Sequence, residues 1–541
     1  MKDKREDIVY LKPNVAPEPL IDQWYAWSHI ISPVTAALNV KERHLKIMRS
    51  FIDHPEIHEE AVKNPSMKGG PFIDYTKERR GEIIELHDKT LKKRSVMLEL
   101  ADAVVHLNEM LEKEAVGYSM ESLYSKVPDM LRGYVELIYD LNNKPGFRLI
   151  EPFLYKSEFN DPTSQSIAFQ LIDSDDSRSF ILSTPRLEET NIIHLQIPFA
   201  HKGIDELYKM RRTPNSFNRI KSMLGIPEDK EEMFYSFFTA DPPKKYEKYT
   251  GEGIRVRYFG HACILVETKN TSLLIDPVIS YGYDTSLSRF TYTDLPDEID
   301  AVLITHNHQD HILIETLIQI RHKVKQIIVP RSSMGNLVDP SIKLMLNSIG
   351  FDRVVEIGEF ESVVANENTI TGLPFIGEHS DLDVRSKLCY HVKLNNDFSL
   401  MFAADSCNKE PRIYEHVHKH VGYIDVIFLG MECDGAPLSW LYGPLMPTKI
   451  EREKDLTRRL AGSNCNQGMS LINLFNPLEV FVYAMGMEPW LEFISSIKYT
   501  EKSRPIVESN KLIQKCKDLG INAERLYGEK TIEYDREKIV I

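Results

Sequence analysis

The sequence predicts an α+β protein in which a mixed helix-and-strand domain, residues 1–245, precedes a layered α/β domain, residues 246–541. Its 541 residues exceed what one hydrophobic core usually supports, and 42% of them are hydrophobic against 27% charged, as in globular proteins. The segment Asp241–Gly253 combines Pro, Lys and Gly where the composition changes. From Ile254 onward, short apolar runs alternate with turns and helical patterns, which is typical of a layered fold.

The first domain contains both kinds of element. In Met97–Ala115, Leu100, Val104, Leu107 and Leu111 recur at steps of three and four residues, which predicts an amphipathic helix. Apolar segments at 166–173, 179–187 and 191–199 are each predicted to form a strand. No catalytic motif stands out in this domain.

Composition excludes several classes of protein. The formal charge of -14 argues against nucleic-acid binding, which needs clustered Lys and Arg. No run of 18 or more apolar residues occurs, and the first residues lack the apolar core of a signal peptide, so we expect no membrane segment and a cytoplasmic location. The six cysteines form no CxxC pair and are predicted to be buried thiols.

The chemistry is concentrated in THNHQDH, residues 305–311. The run Ala301–Ile304 predicts a strand, the histidines follow on its C-terminal loop, and a helix is expected to begin near Ile312. His306 and His308 are two residues apart and can point the same way, whereas Asp310 and His311 can address a second point. This spacing suits two metal ions better than one, at the strand ends where layered folds place ligands.

Further candidate ligands follow other strand-like runs. Glu378 and His379 stand in LPFIGEHSDLD, Asp405 ends LMFAAD, and Glu432 ends DVIFLGME. Asp405 could instead cap a helix, and Glu432 could be a polar turn residue. Three neutral imidazoles with the carboxylates of Asp310, Glu378 and Asp405 would roughly neutralise two ferrous ions, whereas zinc has no redox chemistry that would use the extra anion.

HxHxDH resembles the metallo-β-lactamase superfamily, and this resemblance implies an αββα sandwich with one or two metals at the strand ends. Asp276, in SLLIDP, then has two alternatives: a residue that orients a ligand, or an Asp-Pro turn. Hydrolases of the superfamily usually supply a late histidine, but the matching segment Val480–Trp490 contains none. The set of ligands for a dizinc hydrolase is therefore incomplete.

These departures, with GEHSDLD, LGMECDGAP, YAMGMEPW and the start KPNVAPEPLIDQWYAWSHIISP, resemble the diiron β-hydroxylases of nonribosomal peptide and antibiotic biosynthesis over nearly the whole chain. The resemblance implies one iron on His306, His308 and Glu378, a second on Asp310 and His311, and Asp405 bridging. It places His379 and Glu432 beside the irons, as catalytic, supporting or exchangeable groups.

The family implies an O2-dependent monooxygenase that hydroxylates the β-carbon of an amino acid held as a thioester on a carrier protein. Its expected partners are an aminoacyl carrier-protein domain, an external electron donor and a second copy of the chain, which dimerises through the first domain. The alternatives are a dinuclear zinc or manganese hydrolase, such as a lactonase or phosphodiesterase, and a non-catalytic assembly partner that kept the fold.

Overall fold

The computed structural model describes residues 7–175, 177–394 and 397–535. The first half mixes short strands with helices, as predicted. Its strands are β1 Ile8–Leu11, β2 Val15–Ile21, β3 Trp24–Tyr25, β4 Val135–Tyr139, β5 Pro145–Leu149, β6 Gln165–Leu171, β7 Ile193–Leu195, β8 Asn215–Ser216 and β9 Phe238–Thr239. Strands β3, β2, β6 and β7 form one sheet in that order, while β4 and β5 form a separate hairpin.

Helices cover most of the rest of this half. They are α1 Ser28–Ile31, α2 Pro33–Asn39, α3 Leu45–Asp53, α4 Pro55–Lys63, α5 Arg80–Lys93, α6 Ser95–Glu114, α7 Glu151–Leu154, α8 Lys202–Lys209, α9 Phe217–Leu224 and α10 Glu231–Ser236. A π-helical turn, Val40–His44, joins α2 to α3. The predicted amphipathic helix is confirmed as α6, whose Leu100, Val104, Leu107 and Leu111 are all buried.

One predicted strand of this half is wrong. Residues 179–187 form a loop. Pro185 has no amide hydrogen to donate to a ladder, and the Arg186 side chain turns inward to bind Glu18 with Nε–Oε2 and Nη2–Oε1 distances of 2.6 and 3.0 Å. The apolar pattern arises because Ile181, Leu182 and Leu187 fill a core from a loop.

Two seven-stranded sheets form the second half. The first has the order β15-β14-β13-β12-β11-β10-β23 and the second β16-β17-β18-β19-β20-β21-β22. Their strands are β10 Ile254–Tyr258, β11 Ile264–Glu267, β12 Ser272–Ile275, β13 Ala301–Leu303, β14 Ile327–Pro330, β15 Val354–Ile357, β16 Ser362–Ala365, β17 Asn368–Leu373, β18 Cys389–Lys393, β19 Ser399–Phe402, β20 Val426–Gly430, β21 Glu479–Tyr483, β22 Asn522–Arg525 and β23 Lys530–Tyr534.

The second half also contains eight α-helices among the described residues. They are α11 Ile314–Ile320, α12 Ile342–Ser348, α13 Pro411–Val421, α14 Leu438–Tyr442, α15 Arg452–Thr457, α16 Cys465–Phe475, α17 Glu492–Ser495 and α18 Arg504–Asp518. One apolar core lies between the sheets and another between the second sheet and α13, α16 and α18. The predicted αββα sandwich is thereby confirmed.

The two halves share hydrophobic cores. The outer face of the first sheet and α11 pack against residues of β1, β6 and α8, and a second shared core joins α2, α3 and α6 to α14 and α17. The predicted boundary at residue 245 lies in segment 240–253, which contains no helix or strand. Within the described ranges, every helix is too short or too polar to cross a lipid bilayer.

A buried polar cluster also joins the halves; we call Glu18, Tyr25, Arg178, Tyr281 and Glu315 the Glu315 cluster. The carboxylate of Glu315, on α11, accepts hydrogen bonds from Tyr25 Oη at 2.7 Å, Tyr281 Oη at 2.5 Å and Arg178 Nη1 at 2.8 Å. Arg178 also lies 3.6 Å from Glu18. Both carboxylate oxygens of Glu315 are thus used, so its buried charge is compensated.

Candidate metal centre

The candidate site lies where parallel strands of both sheets end. Strands β12 and β13 pair in parallel in the first sheet, and β19, β20 and β21 do so in the second. Their C-terminal ends are followed by Asp276, the loop 305–311, Asp405, Glu432 and Ala484. Because the sheets face each other, the first four of these ends place ionisable side chains from both sheets around one point.

The backbone is strained at several residues around these strand ends. Positive φ angles occur at Asp276 (40°), Glu378 (63°), Ala404 (45°) and Ala484 (52°), and also at His261 (50°). For residues other than glycine this conformation costs roughly 1–3 kcal/mol each and concentrates at functional sites. These angles turn the chain sharply just after β12, β19 and β21.

His306, His308 and Glu378 form the first group of potential ligands. They offer one nitrogen or oxygen each, all within 4.8 Å of one another, and all three side chains are buried. His308 Nδ1 lies 2.8 Å from Glu378 Oε1, and His306 Nε2 lies 3.9 Å from Glu378 Oε2. At this spacing, the two nitrogens and the carboxylate can bind one divalent cation instead of contacting one another.

A second group shares His306 with the first and adds His311 and Asp405. Asp405 Oδ2 lies 3.1 Å from His311 Nε2 and 3.7 Å from His306 Nε2. Asp405 is therefore between the two histidines, which is the position that a bridging carboxylate requires. Gly430 makes room for it, because a Cβ there would come within 2.7 Å of Asp405 Oδ1.

Asp310 belongs to a third group, with His311 and His261. His261, in YFGHACILVET, is not among the ligands predicted from the sequence. The amide of Gly486 donates to His261 Nδ1 at 3.0 Å, which leaves the ring proton on Nε2, 3.3 Å from Asp310 Oδ2. His261 thus contacts Asp310 from the side of segment 480–490, where the expected late histidine is missing.

Asp276 fixes the orientation of two histidines. Its carboxylate accepts from the Thr305 amide at 2.7 Å, from the Thr305 hydroxyl at 2.6 Å and from His311 Nδ1 at 2.8 Å. Since the Thr305 hydroxyl donates to Asp276, it accepts from His306 Nδ1, 3.0 Å away. When the two rings are neutral, both Nε2 atoms therefore carry lone pairs directed at the centre, as in metal sites whose ligands are held by neighbouring carboxylates.

Tyr442, at the end of α14, performs a similar task for His308 and His379. Its hydroxyl lies 3.2 Å from His308 Nε2 and 2.7 Å from His379 Nδ1. His379 Nε2 in turn approaches Glu378 Oε2 to 3.1 Å. Tyr442 could not be predicted from the sequence, because α14 brings it to the site from 134 residues after His308 in the chain.

Three buried acceptor atoms at the centre, His306 Nε2, Glu378 Oε2 and Asp405 Oδ1, have no hydrogen bond among the described residues, although His379 Nε2 lies 3.1 Å from Glu378 Oε2. Native proteins rarely bury such atoms unpaired, because each costs about 1–3 kcal/mol. Their convergence, with three imidazoles and three carboxylates, fits a pair of divalent cations. Iron is compatible with such a mixed nitrogen and oxygen set.

The ionisation of the site reflects its crowding. Burial, together with the neighbouring imidazoles, lowers the pKa of His306 well below its usual range. Burial acts in the same direction on His311, but the carboxylates of Asp405 and Asp276 outweigh it and raise the pKa of that ring. Burial and the charges of Asp405 and Asp310 raise the pKa of Glu432. A dication at the centre would reverse this last effect.

A cavity of about 460 Å³ opens beside the centre. His308, Asp310, Glu378, Asp405 and Glu432 line its inner wall. The eight residues selected from the sequence thus come together: six fall in the three ligand groups, while His379 contacts Glu378 and Glu432 faces the cavity outside those groups. The hydroxyl of Tyr499, which sequence reasoning also missed, is buried at the same cavity without a described partner.

Comparison with known proteins gives two family matches along the chain. Residues 10–242 match the diiron non-heme β-hydroxylase N-terminal domain, and residues 271–435 match a β-lactamase superfamily domain. A Streptomyces venezuelae enzyme, named a 4-amino-L-phenylalanyl-(CmlP-peptidyl-carrier-protein) 3-hydroxylase, is 36% identical over 529 residues, which is 96% of this chain and 99% of that protein. The chain belongs to the diiron non-heme β-hydroxylases.

Solved structures agree with this membership. The crystal structure of CmlA, a diiron β-hydroxylase from Streptomyces venezuelae, superposes on this β-hydroxylase with a TM-score of 0.91 and 35% identity, covering 98% of this chain and all of that one. By contrast, a UPF0173 metal-dependent hydrolase of Bacillus velezensis is 28% identical over 134 residues, only 22% of this chain. The predicted family, its two irons and its hydroxylase activity are confirmed.

Proposed function

We propose that this β-hydroxylase places a hydroxyl group on the β-carbon of an amino acid that a peptidyl carrier protein holds as a thioester. The observation that carries the proposal is the full-length kinship with the Streptomyces enzyme, whose named substrate is an aminoacyl carrier protein. A cavity of about 460 Å³ that reaches the metal ligands has room for an amino-acid side chain and the start of the tethering arm.

The ligand groups support a specific placement of the two irons. His306, His308 and Glu378 would hold one iron, and Asp310 and His311 the other, with Asp405 bridging. The proximity of Asp405 to both His306 and His311 supports its bridging role. Glu378, rather than His379, falls in the group with His306 and His308, which favours the carboxylate as the ligand.

His379 and Glu432 then act beside the irons. If Tyr442 donates to His379 Nδ1, the single ring proton of His379 lies on Nε2, which faces Glu378 Oε2. Glu432, on the wall of the cavity, can exchange a proton with bound substrate or approach an iron as a further ligand. Both residues would thus control the charge and position of groups at the centre.

When bound, the irons supply the oxidising chemistry that activates O2 and cleaves the bond between carbon and hydrogen. The chain's own residues hold the ligands in one geometry: Asp276 and Thr305 orient His306 and His311, and Tyr442 orients His308. The burial of these side chains keeps bulk water from the ligand atoms. Orientation and exclusion of water are what a protein contributes to such a reaction.

The overall reaction needs partners. Inserting one oxygen atom of O2 and reducing the other to water consumes two electrons and two protons, so we infer an external electron donor as well as the carrier protein. We also propose a homodimer through residues 1–245, where Val116, Tyr118 and Leu141 are more than two-thirds exposed. The six cysteines are unpaired and buried, which supports a reducing, cytoplasmic location.

We further propose that residues 1–245 and 246–541 are separate domains with distinct tasks, the first dimerising or docking the carrier and the second holding the irons. The match to the N-terminal family domain over residues 10–242 supports this division. The shared cores mean that neither part is expected to be stable alone.

The test combines metal analysis with turnover. Protein reconstituted anaerobically with ferrous iron should bind two irons per chain. With a chemical reductant and O2, it should add the mass of one oxygen atom to one member of a panel of aminoacyl carrier proteins. An identical sample without O2 is the control. A colourless zinc protein that hydrolyses esters equally well without O2 would overturn the proposal.

A further inference from the structure

The mouth of the metal cavity is lined by cations. Its outer wall carries Lys68, Arg459 and Lys498, and among the described lining residues away from the metal centre the acidic side chain is Asp434. A neighbouring cavity of about 290 Å³ shares Lys68, Gly69, Ser496 and Lys498 with it. The two lysines therefore stand at the junction of the cavities, while the whole chain has a formal charge of -14.

The two ammonium groups converge on one carboxylate. Glu492, at the start of α17, forms an ion pair with Lys68 and another with Lys498, the latter with an Nζ–Oε1 distance of 3.0 Å. The side chain of Lys498 remains 60% exposed and that of Lys68 28%. Glu492 keeps two like charges near each other, and Lys498 can still turn toward an anion in the mouth.

Contacts of the neighbouring residue Gly69 with the second half fix the position of the backbone next to Lys68. Trp440 Nε1 donates to the carbonyl of Gly69 at 2.8 Å, which ties this segment of the first half to α14 of the second. Gly69 has a φ of +73°, and a Cβ there would meet Ser496 Cβ at 3.3 Å. The segment is thus pressed between α14 and the end of α17, with Lys68 next to the opening.

We propose that Lys68 and Lys498 bind the phosphodiester of the phosphopantetheinyl arm that carries the substrate. This inference rests on the proposed function. The thioester end of such an arm must enter the metal cavity, whereas its phosphodiester stays next to the carrier serine, outside. An anion at the mouth matches lysine ammonium groups, which bind phosphate as point charges. The arm would then be held so that the β-carbon of the attached amino acid is directed toward the metal ligands.

A third cavity, of about 560 Å³, offers a rival path. It also borders Trp440, is lined by Arg43, Lys46 and Lys449, and shares Gly69, Pro437 and Trp440 with the metal cavity. Its lining residues include none of the metal ligands. The mouth with Lys68 and Lys498 opens directly on those ligands, so an arm can reach the irons through it without moving the wall at Trp440.

The probes are S-acetylpantetheine with and without a methyl phosphodiester on its terminal hydroxyl, titrated calorimetrically into the diiron protein. Wild-type protein should bind the phosphodiester more tightly, and Lys498→Ala should reduce this preference roughly threefold to tenfold. Lys498→Arg should retain most of it. The preference should fall as ionic strength rises, because the mouth is solvent-exposed.

Lys449→Ala, at the rival cavity, is the matched control and should leave the preference unchanged. Equal binding of both probes by wild-type protein, or a preference lost in Lys449→Ala but kept in Lys498→Ala, would overturn the inference. Iron content and hydroxylation of carrier-bound amino acid are measured separately. A Lys498-dependent preference in a protein that hydroxylates no such substrate supports the anchor and overturns only the proposed function.

Discussion

Two buried polar clusters in this β-hydroxylase look alike by composition but differ in how their polar atoms are used. The Glu315 cluster joins the two halves, and both oxygens of Glu315 accept hydrogen bonds from tyrosine or arginine. In the metal centre, atoms such as His306 Nε2, Glu378 Oε2 and Asp405 Oδ1 have no partner among the described residues. Both clusters are buried, yet only one is complete with protein atoms alone.

The difference separates a structural cluster from a functional one. A paired and hydrogen-bonded charge can be buried at tolerable cost, whereas converging unpaired lone pairs are costly unless something else binds them. The backbone shows the same contrast, since the strained φ angles at Asp276, Glu378 and Ala404 lie around the centre. Substitutions in the two clusters should therefore fail in different ways.

The largest effect is expected for Glu378→Ala, which should remove a ligand, lower the iron content toward one per chain and abolish hydroxylation. The fold should persist, because no polar partner outside the centre depends on this carboxylate. His379→Ala is the matched control, with a loss of roughly 10- to 100-fold, as for residues that support a ligand. Iron analysis and single-turnover assays measure both.

The opposite ranking, with full iron and turnover in Glu378→Ala but none in His379→Ala, would show that the imidazole is the ligand. In that case Glu378 Oε2 would not be a metal-binding atom.

In the other cluster, Glu315→Ala should reduce the free energy of unfolding by about 3–5 kcal/mol, because it leaves Arg178 buried without its main counterion. The folded fraction should still bind two irons. Denaturant unfolding followed by circular dichroism measures the stability, and iron analysis of the refolded protein measures the site. Glu298→Ala, at a carboxylate whose side chain is 74% exposed, should change stability by less than about 0.5 kcal/mol. Iron loss without destabilisation in Glu315→Ala would erase the distinction between the clusters.

The sequence was sufficient for the core of the metal site because its ligands lie in short, dense motifs at strand ends. HxHxDH follows β13 directly, and Asp405 and Glu432 follow the apolar runs that became β19 and β20. Apolar runs bounded by turns predict buried strands well, since both faces of these sheets are covered. The loop helix was expected near Ile312 but begins at Ile314, because the amides of His311 and Ile312 first bond to the carbonyl of His308 in a turn.

Long-range partners could not be predicted from one sequence. Tyr442 and His261 reach the centre only through the packing of α14 and of the segment after β21, and a lone Tyr or His carries no positional pattern. The Glu315 cluster likewise joins residues separated by up to 297 positions along the chain, from Glu18 to Glu315. The strand predicted at 179–187 was wrong because an apolar loop buried in a core resembles a strand by composition.

Asp276 shares features of both clusters. Its substitution is expected to have the smallest effect, but the result distinguishes a metal-site residue from a structural one. Its carboxylate lies within the metal centre yet is satisfied, accepting two bonds from Thr305 and one from His311. Asp276→Asn keeps the shape and, with its single oxygen, the bond from the Thr305 amide. The oxygen that accepts from the Thr305 hydroxyl and from His311 Nδ1 becomes an amide nitrogen, which cannot accept, so the His311 ring is held less firmly. We expect iron affinity to fall roughly 10- to 100-fold, with a stability loss below that of Glu315→Ala.

Competition with a chelator measures the affinity, and denaturant unfolding of metal-free protein measures the stability. A loss of stability in the metal-free protein with unchanged iron affinity would place Asp276 with the Glu315 cluster, as an ordinary turn residue. A loss of iron affinity without a loss of stability would show that the fully hydrogen-bonded carboxylate of Asp276 serves metal binding, because it orients the histidine ligand.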